Sequence, residues 1–259
     1  MQESEAGILR TDTLGDNKYL VTLDCGQIAR ESSPGQFLQI RTGQGSDPFL
    51  RRTFSISGTD PVKGELNILF QVVGNGTEIL CGLKRGRSVN IIGPLGKGFD
   101  FNVQREGTAL LIGGGIGLAP LLFLSDRMKA SGITHSFIFG ARNLSGINSV
   151  RNFLPDGCIY STDDGSEGYC GYVHEILDIN IGTFSPYAIY TCGPEPMMRA
   201  VARVAHKNGV PCQVSLEERM ACGIGACFGC AVPHIDGRMV RTCVEGPVFD
   251  SREVFFERN

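Results

Sequence analysis

Four cysteines carry the most legible chemistry of this chain. Cys222, Cys227, Cys230 and Cys243 stand with four, two and twelve residues between successive members. Three close thiols and one distant one form the ligand set of a [2Fe–2S] cluster, in which four thiolates hold two irons. Gly223, Gly225, Ala226 and Gly229 lie between them. Such small residues let a loop fold tightly, so that main-chain N–H groups point at the cluster sulfurs. Zinc can also take four thiolates, but structural zinc sites favour two short hooks, and only Cys227 and Cys230 form one. A disulfide framework is disfavoured, because the N-terminus MQESEAGILRTDTLGD shows no apolar core of a secretion signal. A [2Fe–2S] centre passes one electron at a time, which points to an electron carrier or a part of a redox enzyme.

Glycine turns and one arginine form the second set. Arg52-Thr53-Phe54-Ser55 opens a β-rich run. An arginine pairs with a pyrophosphate through two parallel hydrogen bonds, and the aromatic and hydroxyl beside it suit a flavin. Leu69-Phe70-Gln71 follows on a later run, then Gly74-Asn75-Gly76-Thr77, a turn whose amides can cradle phosphate. Gly113-Gly114-Gly115-Ile116-Gly117-Leu118-Ala119-Pro120 lies between an apolar strand and a helix, where nucleotide phosphates meet helix N–H groups. It departs from G-x-G-x-x-G at Leu118 and Pro120. Thr191-Cys192-Gly193-Pro194 ends another strand, and Ser161 to Gly165 a third. Ligands of open α/β sheets lie at such carboxyl ends, so these turns are expected to face one pocket. His135, His174, His206 and His234 share no spacing and read as structural or surface residues. Glu217 and Glu218 read as a solvated or loop-anchoring pair.

The elements that must position these residues divide the chain in three. Up to about residue 100, short β-rich runs at 19–25, 36–42, 54–57, 66–73 and 88–94 alternate with turns at Pro34-Gly35, Gly43 to Pro48, Gly58 to Gly64 and Gly74 to Thr77. This pattern predicts a small antiparallel barrel. Residues 101–210 alternate strands and helices, predicting a parallel α/β sheet. One helix carries Leu121, Leu124 and Met128 on a single face and stops at Gly132. Another opens at Pro194, stripes Met197, Val201, Val204 and Ala205 toward the core, and ends at Gly209. Residues 211–259 form a short, loop-rich segment bearing the four cysteines.

Composition agrees. The chain has 259 residues, 42% of them hydrophobic, and a net charge of −3, which gives no footprint for nucleic acid. No apolar run reaches the length of a membrane span. The six other cysteines, Cys25, Cys81, Cys158, Cys170, Cys192 and Cys212, have no regular spacing and suit reduced, partly buried thiols in a cytoplasmic or anaerobic setting.

The order of these motifs resembles the ferredoxin–NADP reductase superfamily along nearly the whole chain. Ser215 through Cys227, SLEERMACGIGAC, narrows the resemblance to the electron-transfer subunits of NAD-dependent dihydroorotate dehydrogenase B. It implies that the barrel binds FAD through Arg52, Thr53, Phe54, Ser55, Leu69, Phe70, Gln71, Gly76 and Thr77. It implies NAD as substrate near Gly113, Gly114, Gly115, Gly117, Cys192, Gly193 and Pro194. The four cysteines would hold [2Fe–2S] between FAD and the FMN of a separate dihydroorotate dehydrogenase catalytic subunit, in a heterotetramer of two plus two. Two departures stand out. Phe54 replaces a commoner tyrosine, and the chain ends Glu257-Arg258-Asn259 without a terminal aromatic, though Phe255 and Phe256 lie close by. Diaphorase-like subunits of other redox complexes share the layout. A flavin-and-cluster sensor without turnover and a zinc-stabilised domain are the readings from other classes.

Overall fold

The computed structural model describes residues 1–43, 47–101 and 107–255. Six strands close an antiparallel barrel: β1 (Gln2–Gly15), β2 (Lys18–Asp24), β3 (Phe37–Arg41), β4 (Arg52–Asp60), β5 (Glu65–Gln71) and β6 (Ser88–Leu95). Their order is β1-β2-β5-β4-β3-β6. Two helices, α1 (Gly26–Glu31) and α2 (Asn75–Gly82), lie between strands. Strand alternation turns Val21, Leu23, Leu38, Ile40, Ile56, Leu66 and Ile68 into a common core, all fully buried. On β3, Leu38 and Ile40 point inward, so Phe37 and Gln39 point outward. Both are nevertheless buried, because the cluster segment covers that outer face.

The N-terminal residues, to which the sequence reading gave no element, form strand β1. Only Ala6 and Ile8 of this strand are buried. A strand with one inward face needs few apolar residues, and pairing with both β2 and β6 completes the barrel. The turn expected from Gly58 starts later, since β4 runs on to Asp60. Of the turn placed at Gly43 to Pro48, residues 44–46 lie outside the described residues.

The second unit is a seven-stranded sheet in the order β10-β9-β8-β7-β11-β12-β15. Its strands are β7 (Thr108–Gly114), β8 (His135–Ala141), β9 (Ile159–Thr162), β10 (Tyr169–Cys170), β11 (Pro186–Cys192), β12 (Cys212–Ser215) and, after a hairpin of β13 (Ala231–Pro233) and β14 (Met239–Arg241), β15 (Val248–Asp250). All pair in parallel except β15, which runs antiparallel to β12. The expected parallel sheet is therefore present, and residues 211–259 add two strands to it. The helices are α3 (Leu118–Ala130), α4 (Leu144–Asn148), α5 (Val173–Phe184), α6 (Glu195–Lys207) and α7 (Ser251–Val254).

Helix α3 joins the two units. Leu121, Leu124 and Met128 pack on the sheet, as their spacing predicts, but Phe123 enters the barrel core. Every residue from Leu118 to Ser125 is buried, because the barrel covers the face that would otherwise meet water. Among the described residues no helix is long and apolar enough to cross a membrane.

Candidate functional site

The two flavin motifs face each other where the barrel ladder opens. Strands β4 and β5 pair from Asp60↔Glu65 to Ile56↔Ile68, and among the described residues no pair follows. Continuing that antiparallel register would set Ser55 against Leu69 and Thr53 against Gln71. Their outer edges stay paired with β3 and β2, so the unpaired main-chain groups line one gap between the motifs. Backbone donors and acceptors left free in this way fit the polar edge of a flavin ring.

Arg52 and the start of α2 complete the gap. A Cβ on Gly76 would lie 2.6 Å from Arg52 Nε, so the missing side chain lets the guanidinium cross the helix N-terminus. Thr77 Oγ1 accepts from the Val73 and Gly74 N–H groups at 3.0 and 3.2 Å and donates to the Gly74 carbonyl at 2.7 Å. A cation beside free helix N–H groups suits a pyrophosphate. Phe54 and Phe70 do not present their rings to this gap. They pack edge to face inside the barrel, with centroids 5.3 Å apart, which leaves only their main-chain groups at the gap. Leu69 packs toward the sheet.

Across the unit boundary lies a cleft of about 770 Å³. Strands β7 and β11 are neighbours with Gly113 opposite Cys192, which brings their following turns together. A Cβ on Gly117 would stand 2.5 Å from the Gly193 Cα and N, and one on Gly114 would stand 2.4 Å from Met197 Sδ. Gly114, Gly115, Gly117, Gly193 and Pro194 line the cleft. Gly113 and Cys192 are placed beneath it: Gly113 backs onto Leu121 and Cys192 is fully buried. Burial, then the charge of Glu217, pushes the Cys192 thiol well above its usual range, so it stays protonated.

Several cleft residues escaped the sequence reading. Met198 takes the core position on α6, while Met197 reaches the cleft. Glu217 is exposed, as a solvated residue is expected to be, and lines the cleft, where partial desolvation raises its carboxyl. His174 stacks on Tyr172 with centroids 5.9 Å apart, and both line the cleft with Arg142 and with Asp163, which belongs to the strand-end turn expected to face it. Asp16 and Lys18, an ion pair on the β1–β2 hairpin, reach in from the barrel. No local sequence signal marks them, since only the packing of the two units places them there. Phe255 packs on the sheet core beneath Arg199; Phe256 lies outside the described residues.

The four sequence-predicted thiols come together as two pairs. Cys222 neighbours Cys227, and Cys243 neighbours Cys230. Two pairs suit two bridged irons, each taking two thiolates. Among the described residues no three His, Cys, Asp or Glu side chains gather as a metal-ion site. Gly223 and Gly225 adopt φ of 68° and 88°, conformations that favour glycine. The Ala226 N–H donates to Cys222 Sγ at 3.3 Å and the Gly229 N–H to Cys227 Sγ at 3.4 Å. Burial pushes the Cys222 thiol up, but N–H donors led by Ile224 and Cys227 outweigh it and bring it down to about 6. Burial and the Cys230 thiol raise Cys243 to about 12. Arg241 braces the loop from behind. It donates to the Gly225 carbonyl at 2.8 Å, forks onto Glu245 at 2.7 and 3.2 Å, and lies over Phe228.

The family model for the iron–sulfur cluster binding domain of dihydroorotate dehydrogenase B matches residues 217–255. The dihydroorotate dehydrogenase B (NAD(+)) electron transfer subunit of Desulforamulus reducens is 40% identical over 258 residues, covering 98% of each chain. The chain belongs to this family of electron transfer subunits. The family member from Geobacillus thermodenitrificans is 36% identical over 245 residues, 93% of this chain and 94% of that one. Among solved structures, this electron transfer subunit is similar to an NADH-dependent reduced ferredoxin–NADP oxidoreductase described for flavin-based electron bifurcation. The TM-score is 0.86 at 29% identity, covering 96% of this chain and 89% of the other. An electron transfer subunit works with a catalytic partner, and residues 217–255 are its cluster-binding part.

Proposed function

We propose that this chain moves electrons between NAD and a partner subunit that oxidises dihydroorotate to orotate, a step of pyrimidine biosynthesis. Residues 1–100 hold FAD, 101–210 receive NAD, and 211–259 hold [2Fe–2S]. The exchange balances as dihydroorotate plus NAD⁺ giving orotate, NADH and a proton. When bound, FAD converts between the hydride pair of nicotinamide and the single electrons of the cluster. The chain's own residues bind, orient and insulate. Arg52 and the α2 N-terminus receive the flavin pyrophosphate, the turns at Gly115–Gly117 and Gly193-Pro194 receive the nicotinamide nucleotide, and Cys222, Cys227, Cys230 and Cys243 ligate iron. The partner holds FMN, two copies of each subunit assemble, and the complex works in the cytoplasm.

One observation supports this reading most directly: the three sites are contiguous. Gln71 of the flavin motif lines the nicotinamide cleft. Phe37, paired with Ser55 of the other flavin motif, packs with Cys230 and Cys243. The test is the native complex isolated without oxygen. Reduction of NAD by dihydroorotate, with an FMN subunit present, supports the assignment. A flavin and cluster that respond only to NAD(P)H and other acceptors would leave an electron carrier of a different pathway. That second reading, a subunit of ferredoxin–NADP reductase, sulfide dehydrogenase or hydrogenase type, is favoured by the likeness to the bifurcating oxidoreductase and by Arg142 in the cleft, where it can meet a 2′-phosphate.

A further inference from the structure

Gln39 is a fully buried carboxamide between the flavin motif and the cluster loop. It points outward from β3 and is 0% exposed. Its Nε2 donates to Thr53 Oγ1 at 2.8 Å, across the Gln39↔Thr53 pair that joins β3 to the flavin-motif strand. Its other side faces Gly223, the neighbour of Cys222. A Cβ on Gly223 would lie 2.6 Å from Gln39 Cγ and Nε2 and 2.9 Å from Cδ. The amide thus touches both elements at once. Two residues earlier on the same face, Phe37 packs with Cys230 and Cys243.

The amide is only partly used by the protein. Gln39 Oε1 is buried and has no hydrogen-bond partner among the described residues. Leaving such an atom unpaired costs free energy that an apolar side chain of similar size would avoid. The end nearest the cluster loop is the nitrogen, the positive end of the amide dipole. A positive dipole end beside a cluster stabilises the added negative charge of its reduced form and raises its potential.

We propose that Gln39 is a positioning residue for electron transfer. It clamps the Cys222 loop to the flavin-motif strand and turns its amide nitrogen toward the cluster, making the cluster easier to reduce. The proposal rests on the assignment of FAD and [2Fe–2S] above and is independent of the dihydroorotate chemistry. Because Thr53 and Gly223 contact the same amide, loss of the side chain alters the link between two sites without touching a thiol ligand.

The test uses the anaerobically purified complex, poised with a fixed NADH to NAD⁺ ratio, with the reduced cluster read by electron paramagnetic resonance and iron measured separately. Gln39→Leu keeps the volume and removes the dipole. The ratio of reduced to oxidised cluster should fall about tenfold while bleaching of the flavin by NADH and the iron content are kept. Gln39→Glu, which puts oxygen where nitrogen stood, should lower the ratio at least as far, and it decides the matter if the leucine variant loses its iron. A wild-type ratio in either iron-replete variant overturns the proposal. Failure of the underlying cofactor assignment would show differently, as a wild-type complex with no cluster signal or no flavin to bleach.

Discussion

Gly117 and Gly193 meet backbone to backbone, with the Gly193 Cα 2.5 Å from the position a Cβ on Gly117 would take. Flexible side chains can yield to an intruding methyl, but here the obstacle is main chain on both sides. The contact locks the turn after β7 against the turn after β11 and shapes the floor of the cleft. Gly117→Ala should destabilise the fold by about 1–3 kcal/mol and weaken NADH binding. Thermal unfolding and flavin bleaching against NADH concentration check both effects.

Arg52 and Gly76 form a softer version of the same arrangement. An alanine at 76 would press on the arginine side chain, 2.6 Å from Nε, and the side chain can swing away. Gly76→Ala should therefore spare the fold while displacing the guanidinium from the α2 N-terminus. Arg52→Ala should lose a charged hydrogen bond to the flavin pyrophosphate, about 1.5–3 kcal/mol of binding. Arg52→Lys should recover only part of it, lacking the two-pronged fork. The ratio of flavin to protein after gel filtration reports each variant.

Arg241 holds the cluster loop through Gly225 and Glu245 without ligating iron. Arg241→Ala should lower iron retention about 10–100-fold during challenge by a chelator. Replacing any of Cys222, Cys227, Cys230 or Cys243 by serine should remove the visible absorbance of the cluster. Cys158→Ala, on the far side of the sheet order from β12, should keep it.

His206 supplies a pH dependence. Its Nε2 lies 2.8 Å from Ser251 Oγ. Burial first, then the charge of Arg252, lowers its pKa against the opposing effect of Asp250. A histidine with a depressed folded pKa takes up its proton more readily when unfolded. Its stability contribution is present above the ordinary value of 6.5 and is lost as pH falls through the folded value. His206→Gln should flatten this acid limb of the unfolding curve, measured by denaturant titration between about pH 5 and 7.5.

What could be read from residues alone follows a physical division. The cysteine spacing and the glycine turns were legible because each must act within a few residues of itself. Strand β1 was not, because a one-faced strand with only Ala6 and Ile8 buried gives no apolar run. Helix α5 also passed unread, although Val173, Ile176 and Leu177 lie on its buried face. Phe54 and Phe70 belong to the motifs expected to meet a flavin, but alternation turns their rings inward. Asp16, Lys18, Met197 and Glu217 enter the cleft only through packing between elements distant in sequence. Gln39 reads as an ordinary strand residue until the Cys222 loop is laid across it.

The two ends of the cluster-bearing excursion meet. The Leu216 N–H donates to the Pro247 carbonyl at 2.9 Å, and just outside them Ser215 and Val248 are paired strand neighbours. Topologically, residues 217–246 are the oversized loop of a β-hairpin whose legs, β12 and β15, are part of the sheet. A lobe attached at one such seam is a graft: it can be swapped, shortened or replaced by a tight turn without re-threading the strands around it. Trimming it would keep the strand order of barrel and sheet but uncover Phe37 and Gln39 on the barrel and the sheet core beneath Val232 and Val240, so the expected two-electron flavin reductase needs polar residues on both uncovered faces.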